Sequence, residues 1–194
     1  GGAMMIQLAD AEPFRFSALV NIDGMPSRHP VPDVAEHERT RMLAGEVTGW
    51  LDHRARTAHS QWRPGTIDEL ATRRGRMNPR LSHDWLRYLV TVGATEGDDG
   101  WRWKLDPSMR FGGFGPWRPQ WSLLRLAGIG VPFFGMLVGI EEEMGWKTLP
   151  HELRPYLPDG ARLDVLDDMG HFAHIERPAE IAGRVLDFFD GAPR

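Results

Sequence analysis

The chain contains no cysteine. That excludes a disulfide framework, a thiolate zinc site and a cysteine nucleophile, and it fits a reducing compartment. A strong charge bias is missing too: 23 Lys and Arg stand against 27 Asp and Glu, a net charge of −4. Without a basic stripe, no nucleic-acid partner is expected. Nor is there a long unbroken apolar run. The longest, Leu126 to Ile140, is interrupted by four Gly and one Pro, too short and too broken for a membrane span. The amino terminus lacks the basic region that opens a secretory signal. A soluble cytoplasmic protein is the expectation.

What is present is an α/β pattern split by a long insertion. With 194 residues, the chain can bury one sizeable core and carry an inserted segment. Ala3, Met4, Ile6, Leu8 and Ala9 recur at helical spacing, and Pro13 halts them. Phe16 to Ile22 reads as a buried strand closed by Asp23-Gly24. Together they make half of a β-α-β unit whose first strand is missing. The pattern returns at Gly128. Val131 to Gly139 is a second strand, His151 to Leu157 a short helix or turn, and Ala161 to Leu166 a third strand. Pro178 to Phe189 is a closing helix, with Pro178 at its first position and Glu180 in its first turn. The partition expected is residues 1–25 and 128–194 as the sheet-bearing core and 26–127 as the insertion.

The insertion reads as mostly helical. Asp33 to Trp50 carries apolar residues amid charge. Thr66 with Glu69 three residues on has the form of a capping box, and Ser82 caps a helix that packs Trp85, Leu86, Leu89 and Val90. Gly100 to Leu105 alternates like a strand. Phe111 to Trp121 is rich in Gly, Pro and Trp, the composition of an irregular aromatic loop.

The stretch with most chemical content is Asp168-Met169-Gly170-His171-Phe172-Ala173-His174-Ile175-Glu176. It follows the third strand and precedes a helix. Gly170 permits a sharp bend, so His171 sits where an imidazole can exchange protons near neutral pH. The plainer reading of His171 is a loop residue that caps the last helix. His171, His174 and Glu176 offer three metal donors, but not on one helix face and not at the H-E-x-x-H spacing. A structural contact is the better reading of His174, and Glu176 reads as organising the helix start. Arg73, Arg74, Arg76 and Arg80 read as a solvated helix end rather than an anion site.

These segments together resemble the carboxyl-terminal two-thirds of an α/β-hydrolase with an inserted helical cap. Gly1-Gly2-Ala3-Met4-Met5 is similar to the residues just after that family's nucleophile elbow, G-x-S-x-G. Phe16 to Ile22 resembles the sixth strand, Val131 to Gly139 the seventh, and Gly170-His171 the histidine loop after the eighth. The inserted Arg76-Met77-Asn78-Pro79-Arg80-Leu81-Ser82 and Gly100 to Pro107 are similar to caps of the serine hydrolase-like subgroup. The resemblance implies hydrolysis by nucleophile, histidine and acid, with His171 as general base and no cofactor or metal. It also implies that the nucleophile lies just before Gly1, because no Gly-x-Ser-x-Gly occurs and every Ser sits in a strand, cap or turn. On this reading the chain is a fragment, and its partners are the missing amino-terminal half or a second copy of itself. A small apolar or ester-type substrate is expected.

The acid has more than one candidate. Family spacing favours Glu142, in Gly139-Ile140-Glu141-Glu142-Glu143, with Glu141 and Glu143 as neighbours in register. Asp23 is the alternative, since some relatives carry the acid after the sixth strand, although a simple Asp-Gly turn also explains it. Trp117 and Trp121 are the substrate-pocket candidates, while Trp101 and Trp103 read as cap core. Three functions follow as expectations: a serine-type carboxylic-ester hydrolase, an Asp-nucleophile halide- or epoxide-opening enzyme, or a non-catalytic protein that binds a small ligand.

Overall fold

A computed structural model describes residues 1–26, 36–107, 119–142 and 147–191. The chain divides into two compact units, residues 1–30 with 118–194 and residues 31–117. The first unit holds helix α1 (Gly2–Ala11), strand β1 (Leu19–Ile22), α5 (Pro119–Leu126), β4 (Phe133–Val138), α6 (Pro150–Leu153), β5 (Arg162–Leu166), α7 (Ala173–Glu176) and α8 (Pro178–Gly191). The second holds α2 (Glu36–Thr57), α3 (Ile67–Gly75), α4 (His83–Gly93), β2 (Ala94–Gly97) and β3 (Gly100–Trp103).

The sheet of the first unit is parallel, in the order β1-β4-β5. Leu19 pairs with Phe133, and Phe134 pairs with Arg162. All three strands were legible in the sequence, although each is shorter than its apolar run. A parallel sheet needs cover on both faces, and the alternation along β4 provides it. Phe133 and Leu137 pack with Ile6, Ala9, Leu19, Leu123, Leu126 and Leu153. Phe134 and Met136 point the other way, against Leu166, Met169, Ala173, Ile181 and Phe188. Each fully buried Phe contributes roughly 1.5–3 kcal/mol.

The sequence boundary at residue 127 assigned α5 to the insertion. The helix instead belongs to the sheet unit, because Leu123 and Leu126 are buried in the same core as Ile6 and Ala9. An Arg125–Asp10 ion pair ties it to α1.

On β5, Arg162 lies 4.2 Å over the Phe134 ring and 2.8 Å from Asp164, which also receives Arg184 from α8 at 2.7 Å. Burial would raise the Asp164 pKa, but these two guanidinium groups hold it below the ordinary carboxylate value.

In the second unit Thr66 and Glu69 form the capping box in both directions, and Ser82 accepts from Trp85 N–H. β2 and β3 pair antiparallel, with Glu96 opposite Trp101. Arg73 donates to the carbonyls of Arg63 and Pro64, a local structural task. No helix among the described residues is long and apolar enough to cross a membrane.

Candidate active site

The site is built from strand ends. β1 leaves the sheet at Asp23, whose N–H still donates to the Met136 carbonyl at 2.8 Å. Asp23 then turns with φ of 48°, a left-handed conformation that Asp tolerates better than most side chains. The next amide, Gly24 N–H, donates to Asn21 Oδ1 at 2.9 Å. Met25 is buried beneath the turn, and Thr148 Oγ1 donates to its carbonyl at 2.7 Å.

His171 approaches from the end of β5. Met169 anchors its loop in the core, and Ile140 N–H donates to the Met169 carbonyl at 3.1 Å. β4 and β5 end very close together here. A Cβ on Gly139 would stand 2.5 Å from the Asp167 backbone, so only glycine fits. Two carboxylates then clamp the loop. Glu176 Oε1 accepts from Gly170 N–H at 3.0 Å, and Glu142 Oε2 accepts from His171 N–H at 2.5 Å.

A third carboxylate meets the imidazole itself. His171 Nδ1 lies 2.7 Å from Asp23 Oδ2, and their side chains are 22% and 11% exposed. A carboxylate at that position requires the proton on Nδ1, which leaves Nε2 as the free acceptor. The hydrogen bond from Asp23 raises the His171 pKa above its ordinary value against the opposing effect of burial. The charges of Asp23 and Glu142 add to the rise. Helix α1 begins beside the Asp23–Gly24 turn. Its first turn is packed against the acid turn, where Gly2 meets Gly24.

The two acid candidates meet different atoms of His171. Glu142 does contact His171, but at the backbone amide, and its Oε1 is buried without a hydrogen-bond partner among the described residues. Asp23, the alternative, holds the imidazole. The physical reason is reach: the turn after β1 aims its carboxylate at Nδ1, while the segment after β4 meets the loop's main chain. Glu141 is exposed and pairs with Lys147 at 2.7 Å. Glu143 and Trp117 lie outside the described residues, as does the Trp121 side chain.

His174 is half-buried on α7 and lines a hollow of about 310 Å³ with Gly2, Met5, Val20, Asn21 and Ile22. Burial, helped by the His171 charge, lowers its pKa. Glu176 closes α7 rather than opening a helix, and it serves the His171 loop. Among the described residues no three His, Asp or Glu side chains converge as metal ligands, and no hydroxyl is hydrogen-bonded to His171. Asn21 was passed over in the sequence. A lone polar residue inside an apolar strand was the available signal.

An imidazole backed by a buried carboxylate can take a proton at Nε2 and carry the resulting charge. The sequence matches no family model and no curated protein. The fold does have solved relatives. The thioesterase domain from the curacin biosynthetic pathway superposes with a TM-score of 0.71 at 21% identity, over 96% of this chain and 63% of that one. E-2-(acetamidomethylene)succinate hydrolase gives 0.62 at 16% identity, over 96% and 62%. An esterase from Mycobacterium tuberculosis gives 0.63 at 18% identity, over 98% and 58%. The chain thus spans about three-fifths of the length of these structures. A parallel sheet covered on both faces, matched at these scores by hydrolase and esterase structures, gives this chain the α/β-hydrolase fold.

Proposed function

We propose that the chain supplies the acid–base half of a hydrolase site, with His171 as general base and Asp23 as the acid that orients it. The observation that carries this reading is the 2.7 Å contact between His171 Nδ1 and the buried Asp23 carboxylate. It leaves Nε2 free to accept a proton from a nucleophile and return it to a leaving group. The nucleophile would stand immediately before Gly1, at the amino end of α1. That end packs against the Asp23–Gly24 turn, and a nucleophile there would also benefit from the helix dipole. The reaction is hydrolysis of a carboxylic ester or thioester through a covalent acyl intermediate. Support for that bond type comes from the fold's solved relatives, whose names include thioesterase, hydrolase and esterase. A partner is then required: the amino-terminal segment that brings the nucleophile and the donors for the oxyanion.

The test is turnover of a short-chain p-nitrophenyl ester. Residues 1–194 alone should give none above background. The chain extended upstream through the segment that carries the nucleophile and the oxyanion donors should turn over, and His171→Ala in that longer chain should abolish it. Turnover by residues 1–194 that depends on His171 would overturn the placement of the nucleophile. An aspartate immediately before Gly1 would move the chemistry to halide or epoxide opening.

A further inference from the structure

We infer that Asn21 is a positioning residue: it locks the Asp23–Gly24 turn beside the first turn of α1 and thereby holds the Asp23 carboxylate on the His171 imidazole. This rests on the acid–base reading above and extends it to a residue that does not touch the imidazole.

Asn21 is an anomaly in its strand. It is 3% exposed, and its strand neighbours are Leu19, Val20 and Ile22. Asn is disfavoured in strands, and a buried amide costs free energy unless it is hydrogen-bonded. Its compensation is the bond from Gly24 N–H to Oδ1 at 2.9 Å. That donor also fixes which end of the amide is oxygen.

The position of this bond matters. The β1–β4 ladder ends where Asp23 N–H donates to the Met136 carbonyl. The next amide, Gly24 N–H, is captured by Asn21 instead of by the sheet. Asp23 is thus held on both sides while its own backbone is left-handed, a conformation that persists only when the surroundings over-determine it. With both flanking amides held, the direction of the Asp23 side chain is set toward Nδ1 of His171. The other end of the Asn21 amide, Nδ2, is buried and has no hydrogen-bond partner among the described residues. It faces α1, since a Cβ on Gly2 would come within 2.7 Å of it. One side chain therefore touches both the acid turn and the helix start where the nucleophile is proposed.

The proposal is tested by nuclear magnetic resonance on residues 1–194, with three readouts: the low-field Nδ1–H proton of His171, the pH titration of its imidazole, and hydrogen exchange of the Gly24 amide. Asn21→Leu keeps the branched heavy-atom shape and removes the acceptor. It should lose the Nδ1–H signal, lower the His171 titration and speed Gly24 exchange on the order of 5–10-fold, the worth of one hydrogen bond. Asn21→Ser, whose hydroxyl is a weaker acceptor of the same turn, should restore part of each. A residue that merely fills space would leave all three readouts unchanged in folded Asn21→Leu, and that result would overturn the proposal. Asp23→Asn separates the two readings. If it leaves the His171 titration unchanged, the acid assignment falls and Asn21's role with it. If it lowers the titration while Asn21→Leu does not, only the role of Asn21 falls. Should Asn21→Leu fail to fold, the unaltered chain decides: an unprotected Gly24 amide overturns the proposal, and a protected one that opens in Asn21→Ser supports it.

Discussion

Gly2 and Gly24 meet backbone to backbone. A Cβ on Gly24 would stand 2.7 Å from the Gly2 Cα, and one on Gly2 would stand 2.6 Å from the Gly24 Cα. Neither neighbour is a flexible side chain that could move aside. Gly24→Ala should therefore push α1 away from the acid turn, at about 1–3 kcal/mol, as overpacking typically costs. Gly183→Ala is the control. Gly183 lies within α8 with nothing within 4 Å of its added Cβ, so alanine should stabilise by roughly 0.5–1 kcal/mol. Urea unfolding of the two variants checks both signs.

Two histidines respond to pH in opposite directions. His171 has a raised folded pKa, first because Asp23 accepts its hydrogen bond. Its contribution to stability should be full below the unfolded value of about 6.5 and fall as pH rises through the raised folded value. His174 has a lowered folded pKa, first because of burial. Its contribution should be present above about 6.5 and be lost as pH falls through the lowered value. Unfolding free energies of His171→Gln and His174→Asn across mildly acidic to alkaline pH should show the two opposite trends against the unaltered chain. Parallel trends would contradict the assignment.

The second unit depends on a helix start readable in the sequence. Thr66→Ala removes the side chain that accepts from Glu69 N–H and should cost about 0.5–2 kcal/mol. Thr66→Ser should cost less, because the acceptor oxygen stays. Amide exchange within α3 measures the difference locally, and equal effects of Ala and Ser would argue against the cap.

The sequence exposes what local physics controls. Apolar runs marked all three strands, the Thr66–Glu69 spacing marked a capping box, and Gly170 beside His171 marked a loop able to present an imidazole. What stayed hidden depends on pairing across distance. Asp23 and His171 are 148 positions apart, and an Asp-Gly pair after a strand looks like any turn. The three acids at Glu141 to Glu143 drew the assignment because they follow the strand where family spacing places an acid. Periodicity cannot say which atom of His171 a carboxylate meets, and Glu142 meets the backbone amide. The α5 boundary was lost for a similar reason. Pro119 to Leu126 follows a stretch rich in Gly, Pro and Trp, and only tertiary packing reveals that Leu123 and Leu126 face α1.

The most direct measurement is the His171 imidazole titration in the unaltered chain, in Asp23→Asn and in Glu142→Gln. The Asp23–His171 pair predicts a raised titration in the unaltered chain. Asp23→Asn should bring it down and remove the low-field Nδ1–H signal. Glu142→Gln should lower the titration less, because Glu142 acts on the ring only through its charge, and it should leave the Nδ1–H signal in place. Loss of that signal in Glu142→Gln with its retention in Asp23→Asn would contradict the account.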